Sequence, residues 1–416
     1  MAFFCPTARQ IAAAGSLIAL QGLLLPGLVH AQSAYTLTVL NKPSGSDLAA
    51  PVSMDKQGTV RGGMFYVKRY EIGFGEGGCT SLFLVVLCPR HGQREASWAA
   101  TPNASVTGKA GLTGFFSHMS NDQGSQVGDW DPDRSQRAFT TFLWPSPARI
   151  GPGSWLLDGL SNAATFNLLN SQGAQSPVSP IQGTFFMPHA MNNSDAVVGS
   201  TGRYGADGAA VWRQGVLTPL PVAFAAPAKA NAINDAGVIV GASSASLVAD
   251  PTTGHPPLRP TRWLGDQPEF LGGPELSNLE AIAVNNVGQV LIAPPSNSSS
   301  TASSQVWTQG TLTPLQTLPG QSAHPTAIND QGTVVGCTRV IKDSSALTRA
   351  DLTATLWRHG VLQDLTQLLA SKGVKLPGGT RLGCPITINQ QGSILAYYYK
   401  VSSPDTLTWV RFNAKP

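Results

Sequence analysis

The sequence AINDQGTVVG occupies residues 327–336, and close copies occur as AINDAGVIVG at 232–241 and AMNNSDAVVG at 190–199. In such a stretch, the Asn329 side chain can accept a backbone N–H from its own turn, and Gly332 can take the positive φ that closes a three-residue hairpin loop. The run Thr333–Val335 that follows is rich in β-branched residues and lacks polar alternation, as in a strand covered on both faces. The stretch therefore predicts two antiparallel strands joined by a tight turn, in a sheet packed between other sheets.

The same turn can be followed through the chain in seven copies. Its first position is held by Asp55, Asn121, Asn192, Asn234, Asn285, Asn329 and Asn389, and its closing position by Gly58, Gly124, Asp195, Gly237, Gly288, Gly332 and Gly392. The two departures keep the chemistry. Asp55 offers the same acceptor as Asn, and Asp195 is among the few side chains that tolerate a positive φ.

One tryptophan follows each turn and marks the same repeat: Trp98, Trp144, Trp212, Trp263, Trp307, Trp357 and Trp409. A short apolar strand usually precedes this tryptophan, and Gly with a further strand often follows it. Each unit thus holds about four short strands in roughly 50 residues, the period typical of propeller blades. A residue that recurs once per unit favours packing between blades over ligand contact.

The two ends of the chain complement each other. The chain ends soon after Trp409, so the last unit is expected to lack its final strand, whereas Tyr35–Leu40 is a β-rich segment without a unit of its own. If the ring closes, this segment supplies the missing strand and removes an exposed edge. We therefore predict an all-β fold in which residues 35–416 form a single domain, a seven-bladed β-propeller closed by the N-terminal strand. Another repeat count or an open β-array is the alternative.

Residues 1–31 have the pattern of a signal peptide. Arg9 precedes an apolar stretch, and Ala31 ends a small-residue cleavage pattern. A membrane anchor is the alternative, although Gln21 and Pro26 interrupt the apolar stretch. We predict a secreted or periplasmic protein without membrane insertion. The formal net charge of +4, spread over scattered Lys and Arg, gives no reason to expect a nucleic acid partner.

Export to an oxidising compartment predicts disulfide bonds among Cys79, Cys88, Cys337 and Cys384. Four cysteines allow three pairings. We favour Cys79–Cys88, which would close a short hairpin, and Cys337–Cys384, which would join neighbouring repeats. A zinc site is the competing interpretation, and it is disfavoured because no His lies at ligand spacing from either pair.

The repeat resembles that of the HAF-type extracellular repeat proteins of bacteria. The shared features are the pattern A-x-x-N-x-x-G-x-V-V-G and the W-x-x-G strand after it, over residues 48–396. The His-Ala-Phe triplet that names the family is not intact, and Arg137-Ala138-Phe139 comes closest. The resemblance implies an exported repeat protein and brings no catalytic residues to this chain.

Two long connections interrupt the repeat, one between Gly62 and Trp98 and one between Trp144 and Asn192. Long loops on a rigid scaffold are common places for binding. We predict that the binding residues are Tyr66, Lys68, Arg69, Tyr70 and Trp155. A hairpin without a binding role is the alternative interpretation of the first connection.

The stretch DWDPDRSQ at 129–136 places Asp129, Asp131 and Asp133 at alternating positions, as oxygen ligands are placed in a calcium loop. Arg134 stands where such a loop needs Gly, and Thr140 stands where a bidentate Glu would close it. A solvated acidic loop is the simpler interpretation. Calcium is the one cofactor that the pattern suggests.

Motifs for catalysis are missing from the sequence. There is no G-x-S-x-G, and the histidines after residue 31 form no i, i+4 pair. We therefore expect a non-catalytic, monomeric propeller that binds a protein partner or polysaccharide through its loop insertions. A propeller-type glycoside hydrolase or polysaccharide lyase is the alternative, with candidate carboxylates on Glu71, Glu76, Asp158 and the segment 129–133.

Overall fold

Seven β-sheets, the blades, make up the fold seen in a computed structural model of the chain. The described residues are 35–72, 80–82, 85–101, 103–113, 115–130, 165–178, 186–202, 208–224, 227–249, 256–265, 267–295, 302–342 and 348–415.

The strands are assigned to blades by their hydrogen-bonded order. Blade one contains β2 (Leu48–Met54), β3 (Val60–Ile72), β4 (Thr80–Leu82), β5 (Val85–Trp98) and β7 (Lys109–Thr113). Blade two contains β8 (Phe115–Ser120), β9 (Gln126–Trp130), β10 (Thr165–Leu169) and β11 (Gln175–Pro177). Blade three contains β12 (Phe186–Met191), β13 (Val197–Thr201), β14 (Gly208–Arg213) and β15 (Val216–Pro219). Blade four contains β16 (Ala228–Ile233), β17 (Ile239–Ser244), β18 (Leu258–Leu264) and β19 (Gln267–Phe270).

The remaining blades follow the same plan. Blade five contains β20 (Glu280–Val284), β21 (Val290–Ala293), β22 (Gln305–Thr308) and β23 (Thr311–Pro314). Blade six contains β24 (Gln321–Ile328), β25 (Thr333–Val340), β26 (Leu352–Arg358) and β27 (Val361–Asp364). Blade seven contains β28 (Thr380–Leu382), β29 (Thr387–Ile388), β30 (Ile394–Lys400), β31 (Ser403–Ala414), β1 (Tyr35–Asn41) and β6 (Ser105–Thr107). Helix α1 spans Leu365–Ser371, and short 3-10 helices span Pro274–Leu276 and Arg349–Asp351.

The first strand of a blade carries a β-bulge three residues before the turn. The register shifts between Pro188 and Ala190 in β12 and between Ala230 and Ala232 in β16, for example. The same shift occurs in β2, β8, β20 and β24. A bulge turns one extra side chain out of the pleat, and here the residue is His189 or Asn231.

The hydrophobic core is divided among the blade interfaces. Each of seven clusters combines buried residues from two neighbouring blades, and together they connect every blade to the next, including seven to one. Trp263 of blade four, fully buried, packs on Val211 and Leu220 of blade three, for example. Because the interfaces form a closed series, the sheets stand in a ring. The predicted seven-bladed, all-β propeller is confirmed.

The repeated tryptophan lies between blades in five of the seven units. Trp98, Trp212, Trp263, Trp307 and Trp357 each pair with the residue five positions after their own turn's first residue, and all are at most 5 % exposed. Three indole N–H groups also bond to a carbonyl of the preceding blade. Trp98 donates to Asn41 at 2.7 Å, Trp263 to Pro221 at 2.7 Å and Trp357 to Gln316 at 2.8 Å.

The tryptophan register is not kept in blades two and seven, although Trp409 packs between blades as predicted. In blade two, Leu169 takes the equivalent position opposite Gln126, and Trp144 lies outside the described residues. In blade seven, Phe412 takes it opposite Ile394. Trp409 lies three residues earlier on the strand, so its ring faces the other side and packs in the cluster shared with blade one.

Blade seven is built from both ends of the described chain. Strand β1 pairs antiparallel with β31, from Tyr35 opposite Ala414 to Val39 opposite Val410. Strand β6 then pairs in parallel with β1. Tyr35 and Leu40 are buried in the clusters on either face of this blade. That the ring depends on β1 for its closure stays a prediction.

Removing Tyr35–Asn41 should lower the free energy of unfolding by at least ~3 kcal/mol, because the buried side chains of Tyr35, Thr38 and Leu40 are lost and the edge of β31 becomes exposed. Urea unfolding followed by tryptophan fluorescence measures the change. Lys42→Ala, an exposed position next to the deletion, is the matched control and should leave the midpoint unchanged. An unchanged midpoint in the deletion variant would show that the ring does not need β1.

Candidate functional site

The turns between the first two strands of the blades have the predicted geometry. In blade six, Gly332 N–H donates to the Asn329 carbonyl at 2.9 Å, and Thr333 N–H donates to Asn329 Oδ1 at 3.0 Å. The closing residue has a positive φ in all seven turns, from 58° at Asp195 to 91° at Gly58 and Gly124. The expectation that Asp195 would replace glycine at this φ is confirmed.

The first two residues of these seven turns form one continuous polar surface, which we call the turn ring. Its members are Asp55, Lys56, Asn121, Asp122, Asn192, Asn193, Asn234, Asp235, Asn285, Asn286, Asn329, Asp330, Asn389 and Gln390. The first residues are buried, with 2 % to 6 % of their surface exposed. The second residues are half-buried or exposed.

The first residues are linked into an inner circle of hydrogen bonds. Each Asn donates from Nδ2 to the main-chain carbonyl of the equivalent residue in the next blade, as Asn234 does to Asn285 at 3.0 Å. Five further links run the same way, from Asn121, Asn192, Asn285, Asn329 and Asn389. One amide thus closes its own turn with Oδ1 and holds the next blade with Nδ2.

The second residues form an outer circle in which the bonds also run one way. The backbone N–H of each donates to the side-chain oxygen of the next, as Asp235 N–H does to Asn286 Oδ1 at 3.0 Å. The other five links start at Lys56, Asp122, Asn193, Asn286 and Asp330. The link from Lys56 ties blade one to blade two, the one junction at which the inner circle has no amide donor.

Both circles are interrupted at blade one. The Asp55 side chain has no N–H to donate to blade two, and the Lys56 ammonium cannot accept a bond from blade seven. Asp55 pairs instead with Arg61, at 3.0 Å between Oδ2 and Nη1. The Arg61 guanidinium lies against Gly124 of the blade-two turn. An ion pair therefore replaces an amide at this junction.

Arg411 lies at the junction between blades seven and one and is fully buried. It extends from blade seven and donates to the carbonyls of Gly58, Ala99 and Thr101, all of blade one or the segment after it. Burial lowers the pKa of the Arg411 guanidinium, and the charge of Asp55 opposes that shift. The contact joins the last strand of the chain to the first turn.

The exposed part of the turn ring is acidic. Asp122, Asp235 and Asp330 occur in alternate blades, and Lys56 is the one cation among the second residues. Asp235 is held by Asn193, through the backbone N–H at 2.9 Å and through Nδ2 at 2.8 Å. Since each carboxylate oxygen can accept two hydrogen bonds, these fixed carboxylates keep capacity for donors from a ligand.

A second layer of polar contacts lies on the first strands of the blades, three to five residues before the first residue of each turn. From the bulge position, the His189 ring nitrogen Nδ1 bonds with the Ala230 carbonyl at 2.9 Å, and Asn231 donates to the Ala281 carbonyl at 3.1 Å. Asn231 also donates to Glu280 at 3.3 Å, and Lys229 forms an ion pair with the same carboxylate. These bonds connect blades three, four and five.

Two histidines of the first strands are held neutral. Burial lowers the pKa of His189 to about 4, and the charge of Lys229 lowers it further, against the Ala230 carbonyl. Burial likewise lowers the pKa of His324 to about 3, with the charge of Arg339 acting in the same direction. Ser322 Oγ lies 2.9 Å from His324 Nε2. Both histidines are therefore structural acceptors or donors at neutral pH.

The predicted binding residues are not brought together at the turn ring. Tyr66 lies on β3 beneath the Arg94 guanidinium, which is 4.9 Å from the ring centroid. Lys68, Arg69 and Tyr70 lie on the same strand, with side chains outside the description, and Trp155 is outside the described residues. Their binding role stays a prediction.

The calcium candidate also stays a prediction. Asp129 is on β9, whereas Asp131 and Asp133 lie outside the described residues. Within the described ranges, no group of three His, Cys, Asp or Glu side chains is placed to hold a metal ion. None of the described helices combines the length and hydropathy needed to cross a bilayer.

The disulfide between repeats is confirmed. Cys337 of blade six is bonded to Cys384 of blade seven, with 5.4 Å between their Cα atoms. Cys88 lies on β5 and Cys79 lies outside the described residues, so their pairing stays a prediction. A bridge of this kind persists in an oxidising environment.

Sequence reasoning missed the second residue of the turn. Six of the seven copies carry Asp, Asn or Gln there, a signal as regular as the Asn before it. It could have been read as a second ring of side-chain acceptors. The bond of His189 to Ala230 could not be predicted either, because it forms only when neighbouring blades lie side by side.

Comparison with known proteins gives structural neighbours alone, since no family model and no curated protein matches the chain. The β-propeller domain of the Trilobed protease from Pyrococcus furiosus, described as having an open velcro topology, has a TM-score of 0.49 and 8% identity. The alignment covers 88% of this chain and 94% of that one. The neighbours share the propeller fold.

Two further neighbours are larger than this chain. One belongs to a study of two prolyl endopeptidases, on the role of inter-domain dynamics in catalysis and specificity (TM-score 0.43, 11% identity, 89% of this chain and 51% of that one). The other is the acylaminoacyl peptidase from Pyrococcus horikoshii (TM-score 0.41, 12% identity, 86% and 59%). The chain thus spans a little over half the length of these two peptidases.

These neighbours correct the expected function. A non-catalytic propeller that binds a protein or polysaccharide through loop insertions, with a glycoside hydrolase or lyase as alternative, is contradicted, because the neighbours are propeller domains of peptidases. The physical reason for the error is that a scaffold fold does not specify the chemistry attached to it. The resemblance to HAF-type proteins stays a prediction.

Replacing Asn285 by Asp tests the inner circle. The variant keeps the acceptor for Gln289 N–H but loses the donor to the Asn329 carbonyl, so we expect a loss of about 1–3 kcal/mol in urea unfolding. Asn170→Asp is the matched control. Asn170 also closes its turn through Oδ1, and no bond from its amide nitrogen to another blade occurs among the described residues. Equal losses in both variants would contradict the interblade role.

Replacing His189 by Asn should reduce the acid sensitivity of the fold. A histidine whose folded pKa lies below its unfolded value of about 6.5 contributes its full stability above pH 6.5, and this is lost as the pH falls toward about 4. Asn can keep the bond to Ala230, as Asn231 does with Ala281. Between pH 7 and pH 5 the variant should lose up to about 2 kcal/mol less than the parent chain. Parallel urea midpoints for the two proteins would contradict this.

Proposed function

We propose that the turn ring binds the positively charged ends or side chains of polypeptides, and that the chain serves as the propeller of a peptide-hydrolysing system. The observation that carries the proposal is the outer circle, with its three carboxylates in alternate blades and one opposing ammonium. Peptides are proposed as the ligand because two of the structural neighbours are peptidases. The residues proposed to bind them are chosen from the turn ring alone.

The chemistry of the ring suits an ammonium or guanidinium group. Asp122, Asp235 and Asp330 each accept from the blade before them, so their positions are fixed before a ligand arrives. A prepositioned acceptor loses less conformational entropy on binding than a free side chain. Several carboxylates around one axis also attract cations over the Debye length, so binding should weaken as salt increases.

Export to an oxidising compartment is part of the proposal. The bridge between Cys337 and Cys384 supports it, because such bonds are rare where thiols are kept reduced. A secreted or periplasmic location, with residues 1–31 removed as a signal peptide, is proposed on this basis.

The test is binding of a fluorescent, lysine-rich peptide to the full chain, measured by anisotropy at two salt concentrations. The triple variant D122N/D235N/D330N keeps each Oδ1 acceptor, removes three charges and loses the Oδ2 acceptors for Asn193 and Asn286, so affinity should fall at least tenfold. Urea unfolding of the variant checks that it remains folded. The single variant Asp235→Asn should also weaken binding. Its matched control is Asp47→Asn, which removes an exposed carboxylate outside the ring and should leave the affinity unchanged. Equal affinity in the triple variant and the parent chain would refute the site.

A second measurement tests the peptidase setting. The same peptide, incubated with the full chain and an extract of the source cells, should be cleaved faster than in extract depleted of the chain. Mass spectrometry of the products measures this. If depletion has no effect on cleavage, the chain does not serve peptide hydrolysis.

A further inference from the structure

A second charged surface lies at the end of the blade-six strands away from the turn ring. Strand β25 begins at the blade-six turn and ends at Val340, and the residues after it adjoin β28 and the end of β30. We call the cations there the basic cluster: Arg339, Lys342, Arg349, Arg381 and Lys400. Two carboxylates accompany these five cations, Asp351 and Asp405.

Several charges of the basic cluster act on one buried hydroxyl. Burial raises the pKa of the Tyr399 hydroxyl, the charges of Arg381 and Arg349 lower it, and Asp351 raises it. Arg381 and Tyr399 are also direct partners across β28 and β30. Tyr399 itself is 4 % exposed. Arg381 therefore lies next to Tyr399, whose side chain packs in the cluster between blades seven and one.

Some of the cations already have partners. Arg349 donates to the Pro404 carbonyl at 2.7 Å and to Asp405 at 3.0 Å. Lys342 pairs with Asp351 at 2.7 Å, and hydrogen bonds from Lys342 and Thr348 lower the pKa of that carboxyl to about 2. The bonds of Arg349 hold the short helix Arg349–Asp351 against blade seven.

Arg381 differs from them. Its side chain is exposed and donates from Nη1 to the Ala350 carbonyl at 3.4 Å. Within the described part of the chain, no carboxylate lies at ion-pair distance from it. Lys400 is exposed on the neighbouring strand, where it follows Tyr399. A guanidinium has five donors in a planar fork, so most of the donors of Arg381 face solvent.

We propose that Arg381 binds a carboxylate, and specifically the C-terminal carboxylate of a peptide ligand. A planar carboxylate matches the guanidinium fork through two parallel hydrogen bonds, which gives both strength and orientation. The peptide identity rests on the proposed function, whereas the oxyanion chemistry does not. The chain then carries an acidic ring at one end of its strands and a basic cluster at the other.

The experiment uses the full chain and an uncharged peptide with an acetylated N-terminus, made with a free or an amidated C-terminus. Because this peptide carries no cation, the turn ring does not contribute. Calorimetry should show at least fivefold tighter binding of the free acid. Arg381→Gln should abolish that preference, and Arg213→Gln, an exposed arginine of blade three, should preserve it.

The other outcomes decide the point as well. Equal binding of acid and amide by the parent chain, or an unchanged preference in Arg381→Gln with a normal urea midpoint, would overturn the site. Inorganic phosphate that binds while neither peptide does would overturn the carboxylate assignment. If the turn-ring triple variant behaves like the parent chain in both assays while Arg381→Gln loses the preference, the proposed function falls and this inference stands.

Discussion

The structure depends on one side-chain amide that does two things at once. In six of the seven turns, the Asn oxygen accepts the N–H that closes the hairpin, and the Asn nitrogen donates to the main chain of the next blade, as Asn234 does. The amide is buried, so either bond left unmade would cost the desolvation of a polar group. The closing residue must have positive φ for the oxygen to reach its partner. Local turn chemistry and the angle between blades are therefore set by the same atoms.

Blade one shows what happens where this amide is absent. Asp55 retains the acceptor but not the donor, and the chain places Arg61 beside it and Arg411 below it. Charged groups take over a contact that amides make elsewhere. Arg411 also brings three carbonyls of blade one and its following segment under one guanidinium from blade seven. The contact between blade seven and blade one thus depends on a buried guanidinium as well as on the Asn389 amide.

The repeat made the fold predictable from the sequence. Seven turns with an acceptor and a positive-φ residue gave the number of blades, and export chemistry gave the Cys337–Cys384 bridge. The tryptophan positions in blades two and seven were not predictable, because pairing register decides which face a residue occupies. Leu169 and Phe412 hold the place expected for Trp144 and Trp409.

The candidate site was harder to predict than the fold. The irregular insertions drew attention because they depart from the repeat, whereas the dense polar network is made by the repeat itself. Its outer circle follows from the second turn residue, and that residue acquires a role only when neighbouring turns are brought side by side. The basic cluster combines residues far apart in sequence, such as Arg349 and Arg381, so no local sequence pattern predicts it.

The pairing of β1 with β31 has a consequence for the order of folding. Tyr35 lies opposite Ala414, so nearly the whole described chain separates the two partners. Contacts of such sequence separation form slowly, and a chain growing from its N-terminus makes the first strand long before the strand that receives it. Until then, the apolar faces of Tyr35 and Leu40 have no partner. The first strand of the domain to be synthesised is therefore the last to be paired. Until β31 is available, the edge of β1 is open to pairing with strands of other chains.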